Sequence, residues 1–106
     1  MNESTLYQSI FCERLKSARL AKGLSQKKLG ILAGIDEFVA STRINRYEKG
    51  VHQASIEVVH QLAKALDIPL AYFYTEDDDL ALLLMNWKQI DSETKKSLLT
   101  SLPKNS

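Results

Sequence analysis

Apolar residues along this chain recur every three or four positions, the spacing of helices with one buried face, and no segment alternates as a strand does. From about Ser9, the positions Ile10, Phe11, Leu15, Ala18 and Leu20 predict a first helix, stopped at Gly23. Ser25 stands where an N-cap belongs, and Leu29, Leu32 and Ala33 form the buried stripe of a second helix ending at Gly34. Asp36 is the next capping candidate. The third helix carries Ala40, Ile44 and Tyr47 on one face and closes at Gly50. Ser55 caps a fourth with Ile56, Val59, Leu62, Ala63 and Leu66, and Pro69 suits the first turn of a short fifth with Leu70, Phe73 and Tyr74. The pattern predicts an all-α fold.

The run Glu76-Asp77-Asp78-Asp79 marks a boundary, with acids suited to the positive end of the next helix dipole. That helix is expected over Leu80 to Gln89, with Leu80, Leu83, Leu84 and Trp87 on one face. Asp91 or Ser92 caps a last helix bearing Leu98, Leu99 and Leu102, and Pro103 ends it. The division is an N-terminal tail at 1–8, a helical domain at 9–76 and a C-terminal helical segment at 77–106. This last segment is too apolar for a solvated tail and has to bury its leucines somewhere. Two destinations are open. Leu80, Leu83, Leu84, Trp87, Leu98, Leu99 and Leu102, with Phe73, make a homodimer interface, or the two helices cap the first and fifth helices of their own chain.

Composition refines this picture at one point. The 106 residues are one domain's worth of chain, with 44% hydrophobic residues and a formal net charge of +1. The charge is unevenly spread. Residues 11–55 hold nine bases (Arg14, Lys16, Arg19, Lys22, Lys27, Lys28, Arg43, Arg46, Lys49) against four acids (Glu13, Asp36, Glu37, Glu48), a balance of +5. From residue 56 onward five bases meet eight acids, a balance of −3. An oriented basic footprint points toward a polyanion, and the plain alternative is chance clustering. The single cysteine, Cys12, allows no internal disulfide and reads as a small, partly buried apolar residue. There is no signal-peptide pattern, and Leu80–Met85 is far too short to cross a bilayer, so a soluble, cytoplasmic protein is expected.

Catalysis finds little support. His52 and His60 have no Cys, Ser or carboxylate partner at a telling spacing, and no phosphate loop or metal-ligand cluster is present. No enzyme activity, cofactor, metal or small-molecule ligand is expected.

The chemistry that does stand out lies between Arg14 and Gly50. Two short helices meet across a Gly-bearing turn, and Ser41, Thr42, Asn45 and Arg46 fall on the third helix opposite its apolar stripe. Asn pairs bidentately with adenine, Arg forks onto guanine or grips phosphate, and Ser and Thr serve either role. Arg43, at the edge of this face, is placed on phosphate. An ordinary solvated polar face is the competing reading.

Residues 14–70 resemble the Cro/repressor-type helix-turn-helix domain of the XRE family. The blocks that carry the likeness are Arg14-Leu15-Lys16 with Arg19, Gly23-Leu24-Ser25-Gln26, Leu29 with Ala33-Gly34, Ile44 to Gly50, and Leu62 to Leu70. The resemblance implies a compact five-helix, lambda-repressor-like domain followed here by a two-helix segment. It also implies sequence-specific binding of double-stranded DNA, with the third helix in the major groove and a homodimer on a palindromic operator, as a transcriptional repressor of bacterial or phage type. Ser25, Gln26, Lys27, Ser41, Thr42, Arg43, Asn45 and Arg46 take the DNA-contacting positions, and Arg19 and Glu48 those of a structural ion pair. An antitoxin-like or adaptor role, in which the domain mainly binds a protein, is the alternative.

The chain departs from the family's pattern in one place. About four extra residues lie between Gly34 and Ser41, close to one helical turn. They either extend the front of the third helix, which Asp36 as N-cap and Glu37 in the first turn favour, or lengthen the turn before it. Within the insertion, Glu37 faces phosphates unfavourably. Phe38 is assigned to the core, with contact to a thymine methyl as the other reading.

Overall fold

A computed structural model describes residues 3–104 of the chain; residues 1–2 of the expected tail and 105–106 of the C-terminal segment lie outside it. The described residues form six α-helices and no strand: α1 Glu3–Ala21, α2 Gln26–Leu32, α3 Ala40–Glu48, α4 Ile56–Leu66, α5 Asp78–Asn86 and α6 Ser92–Ser101. A 3₁₀ helix, Leu70–Tyr74, follows α4, and a shorter one, Trp87–Gln89, follows α5. Helices α1–α4 and the first 3₁₀ helix make the five-helix, lambda-repressor-like unit.

Local chemistry sets most of these boundaries. The Ser25 and Ser55 hydroxyls accept from the Lys28 and Val58 amides at 3.0 and 3.3 Å, and Asp77 and Asp91 cap α5 and α6 in the same way. Gly23 and Gly34 end their helices at φ +70° and +88°, the left-handed region closed to most side chains. The core is assembled from all five elements of the unit. Leu15, Leu29, Ile44, Val59, Leu62 and Phe73 are wholly buried, and Phe73 meets Phe11 edge-on with ring centroids 5.4 Å apart.

Several expectations are corrected. Helix α1 begins at Glu3 rather than Ser9, so residues 3–8 of the expected tail are helical. They are held from a distance, since Gln8 Nε2 donates to the Gly50 carbonyl at 2.9 Å. Leu20, Leu32 and Ile56, read into the buried stripes, are exposed. All three lie at or next to helix ends, where the packing neighbours run out. Phe73, offered to a dimer interface, is fully buried.

The C-terminal segment is divided in its packing. Arg14 on α1 reaches over to hold the start of α5, donating to the carbonyls of Thr75 and Glu76 at 2.9 and 3.0 Å and pairing with Asp78 at 3.1 Å. Through Ala81, which is buried, and Leu84 and Met85, α5 leans on the core. Leu80 and Leu83 face away and are exposed. Helix α6 buries no residue. Its Lys95 lies 4.9 Å from the half-buried Trp87 ring, and Leu98, Leu99 and Leu102 stay exposed.

Candidate nucleic-acid interface

Helices α2 and α3 approach closely, and a glycine makes that possible. A Cβ at Gly30 would stand 2.6 Å from the Ala40 Cβ and 3.0 Å from the Ala40 backbone, so no larger residue fits unless α3 moves away. A glycine in the middle of a predicted helix was the available signal for this close approach. With α3 seated there, Ala40, Ile44 and Tyr47 turn inward and are buried. The opposite side presents Ser41, Thr42 and Arg46, all exposed, with Asn45 half-buried beside them.

Arg43 takes a different path. Its guanidinium folds back along α3, donating to the Tyr47 hydroxyl from Nε and Nη2 at 3.4 and 3.3 Å and lying 6.0 Å from the ring centroid. The residue is exposed, and the contact is long and only part-buried.

A second group of side chains fixes the two ends of the motif to each other. Arg19 makes a bidentate pair with Glu48, Nε to Oε2 at 2.6 Å and Nη2 to Oε1 at 3.1 Å, and its Nη1 donates to the Leu24 carbonyl at 2.9 Å. Both side chains are almost buried, so each charge depends on the other. Gln26, at the first turn of α2, donates to Glu48 Oε1 at 3.2 Å, which holds its amide against the carboxyl end of α3. Ser25 is exposed and engaged as the α2 cap, while Lys27 is exposed with no partner among the described residues.

Beneath α3, the Cys12 thiol donates to the Tyr47 carbonyl at 3.2 Å. Burial pushes this thiol's pKa up, which keeps it protonated as a donor. The contacts of Cys12 and Gln8 supply partners for carbonyls at the end of α3, a use that the sequence pattern did not reveal. A cavity of about 320 Å³ opens on this inner side, walled by Tyr7, Phe11, Tyr47 and Tyr74 among others.

The extra residues before α3 form a turn, which corrects the favoured reading of an added helical turn. Asp36 does not cap α3. Its carboxylate accepts from the Phe38 amide at 2.9 Å and its carbonyl from the Val39 amide at 3.1 Å, a local turn that competes with helix initiation. Helix α3 starts only at Ala40, where contact with Gly30 begins, and it has no side-chain cap, unlike α2, α4, α5 and α6. Phe38, assigned to the core, is instead 88% exposed at the tip of this turn.

The assembled surface can grip a polyanion and read polar edges. Lys27, Lys28, Arg43, Arg46 and Lys49 are exposed on α2, α3 and the residue after α3, while Asp36 and Glu37 are confined to the turn. His52 and His60 are exposed, and among the described residues no group of three or more His, Cys, Asp or Glu is placed to hold a metal. No described helix is long and apolar enough to cross a membrane.

A helix-turn-helix family model matches residues 15–73, from α1 through the first 3₁₀ helix. None of the curated proteins matches the chain. Among solved structures, the crystal structure of the transcriptional regulator BswR is similar at 44% sequence identity and a TM-score of 0.77, over 84% of this chain and 88% of that one. With its Arg19–Glu48 tie, its glycine-mediated helix crossing and a family match over more than half its length, this chain belongs to the XRE-type helix-turn-helix family of DNA-binding transcriptional regulators.

Proposed function

We propose that the protein is a cytoplasmic transcriptional repressor that binds a palindromic operator as a homodimer, each copy laying α3 in the major groove. The observation that carries this reading is the outer face of α3. Ser41, Thr42, Asn45 and Arg46 project from a helix whose other face is wholly committed to the core, on the more basic part of the chain. In this role Asn45 and Arg46 supply bidentate contacts to base edges or, for Arg46, to a phosphate. Ser41 and Thr42 contact bases near the amino end of α3. Gln26 and Lys27 meet the backbone or an outer base from α2, Ser25 helps through its place at that helix end, and Arg43 leaves Tyr47 for a phosphate. The uncapped amino end of α3 supports the same reading, since its free N–H groups suit a negatively charged neighbour.

The dimer is supported by α6. A helix with no buried residue and with Leu98, Leu99 and Leu102 exposed is incomplete in a single copy, and Leu80 and Leu83 extend the same apolar character from α5. Leu84 and Trp87 contribute less, because they are already half-buried within the chain. No ligand or cofactor is assigned to the function.

Titrating DNA binding against salt tests the proposal. Affinity for duplex DNA falls steeply as salt rises, with a shallower slope for Lys27→Ala and Arg43→Ala. Asn45→Ala weakens binding about 5- to 150-fold on a preferred duplex and much less on unrelated DNA. No binding to any duplex at low salt would shift the reading to protein-partner recognition.

A further inference from the structure

We infer that Phe38 is a base-reading residue, placed by the inserted turn to contact the methyl group of a thymine in the major groove. The inference rests on the DNA-binding reading above and adds to it an apolar contact outside α3 itself.

Phe38 is the most exposed large apolar side chain among the described residues, and its exposure is imposed by the backbone. The turn that carries it is tied at both ends. The Ile35 amide donates to the Gly30 carbonyl at 2.9 Å, and the half-buried Ile35 side chain packs against the core. The Asp36 carboxylate and carbonyl hold the Phe38 and Val39 amides, and the Val39 carbonyl accepts the first hydrogen bond of α3, from the Arg43 amide at 2.9 Å. These bonds hold the backbone of the turn, from which the ring projects into solvent.

Its position gives the ring its use. Phe38 precedes Ser41 and Thr42 by three and four residues, at the amino end of α3, the end that recognition helices of this class point at base edges. Around it in the turn and at the start of α3 stand the exposed polar side chains Asp36, Glu37, Ser41 and Thr42, and one apolar neighbour, Val39, which is 44% exposed. One ring and one part-exposed valine among polar side chains fall short of the contiguous apolar area of a protein-docking patch. The ring matches a single apolar feature in a polar groove, and the thymine methyl is that feature in the major groove. The acids beside it make the turn a poor grip for phosphate, so the turn's uncharged ring is the side chain suited to touch DNA.

The test begins with duplexes selected by the full chain from random sequence. In the preferred duplex, each thymine is replaced in turn by deoxyuridine, which removes only the methyl group, and binding is followed by fluorescence anisotropy. The native chain is expected to lose about three- to fivefold in affinity at one thymine of each half-site. Phe38→Ala binds the unmodified duplex weaker by at least that factor and is indifferent to the substitution at that thymine, while keeping its responses elsewhere. Phe38→Leu keeps part of the discrimination. Because Phe38 is exposed, both variants melt where the native chain does, so a binding change is not a folding defect.

If Phe38→Ala senses every thymine methyl as the native chain does, or weakens binding equally on all duplexes, the assignment is overturned while the DNA-binding reading stands. If the native chain selects no duplex, both fall together, and that is seen before any variant is made.

Discussion

Leu29, Ile44 and Leu62, within residues 15–73, have no exposed surface, whereas Leu82, Leu99 and Leu102 in the C-terminal segment keep 62%, 61% and 57% of theirs. Branched aliphatic side chains serve two ends. In the helix-turn-helix unit, five elements close around one core and leave α3 a purely polar outer face. In the C-terminal segment, α5 is held by Arg14 and Ala81, and α6 extends from it without any buried residue. The first region is complete within one chain. The second is not, which is why the proposed dimer is assigned to it.

The sharpest way to break this contrast is through the tie between α1 and α3. Glu48→Leu strands the nearly buried Arg19 charge and should destabilise the fold by about 3–5 kcal/mol, measured by urea unfolding. Arg19→Met with Glu48→Leu should recover much of that loss. Small, additive effects of the two changes would mean that the pair contributes little to the first region.

Gly30→Ala comes next. Its methyl would meet the Ala40 Cβ at 2.6 Å, and forcing α2 and α3 apart should cost about 1–3 kcal/mol, with DNA affinity falling as α3 is displaced. Unchanged melting would show that the crossing relaxes freely.

On the other side of the comparison, Leu99→Asp should act on assembly and not on folding. Sedimentation should report a dimer dissociation constant at least tenfold higher, equivalent to about 1.4 kcal/mol, with monomer stability unchanged. A monomeric native chain at micromolar concentration would remove the dimer from the account.

The Asp91 cap of α6 should produce the smallest effect. The Thr94 amide, donating to Asp91, holds that carboxyl's pKa below the usual aspartate range. A lowered folded-state pKa means that the cap stabilises α6 above the ordinary aspartate value and is lost as pH falls through the lowered one. Circular dichroism should show a slightly smaller acid-induced loss of helix in Asp91→Ala than in the native chain, the difference being the part that this cap contributes.

Much of this architecture was legible from neighbouring residues alone. Ser25, Ser55, Gly23, Gly34 and Gly50 mark helix ends because caps and left-handed turns are decided within a few residues. The inward set Ala40, Ile44 and Tyr47, and with it the outer face of α3, follows from helical spacing. What escaped depends on distant partners. Asp36 has the chemistry of a cap, yet the start of α3 is set by the contact of Ala40 with Gly30, ten residues earlier in the chain. Phe38 is apolar and was placed inside, but no pattern of spacing reports that its turn is tied facing outward. Helix α5 was expected to bury Leu80, Leu83, Leu84 and Trp87 as one face, against its own domain or another chain; spacing alone does not report that within one chain Ala81 and Leu84 lean on the core while Leu80 and Leu83 stay exposed.

Selection of bound duplexes from random DNA by the full chain reports sequence reading and the pairing of two copies in one measurement. A dimer reading DNA through α3 should enrich two inverted half-sites whose centres lie about 10–10.5 base pairs apart, or a multiple of that spacing. Recovery of a single unsymmetrical site would contradict the dimer, and no enrichment at low salt would contradict DNA reading by this face.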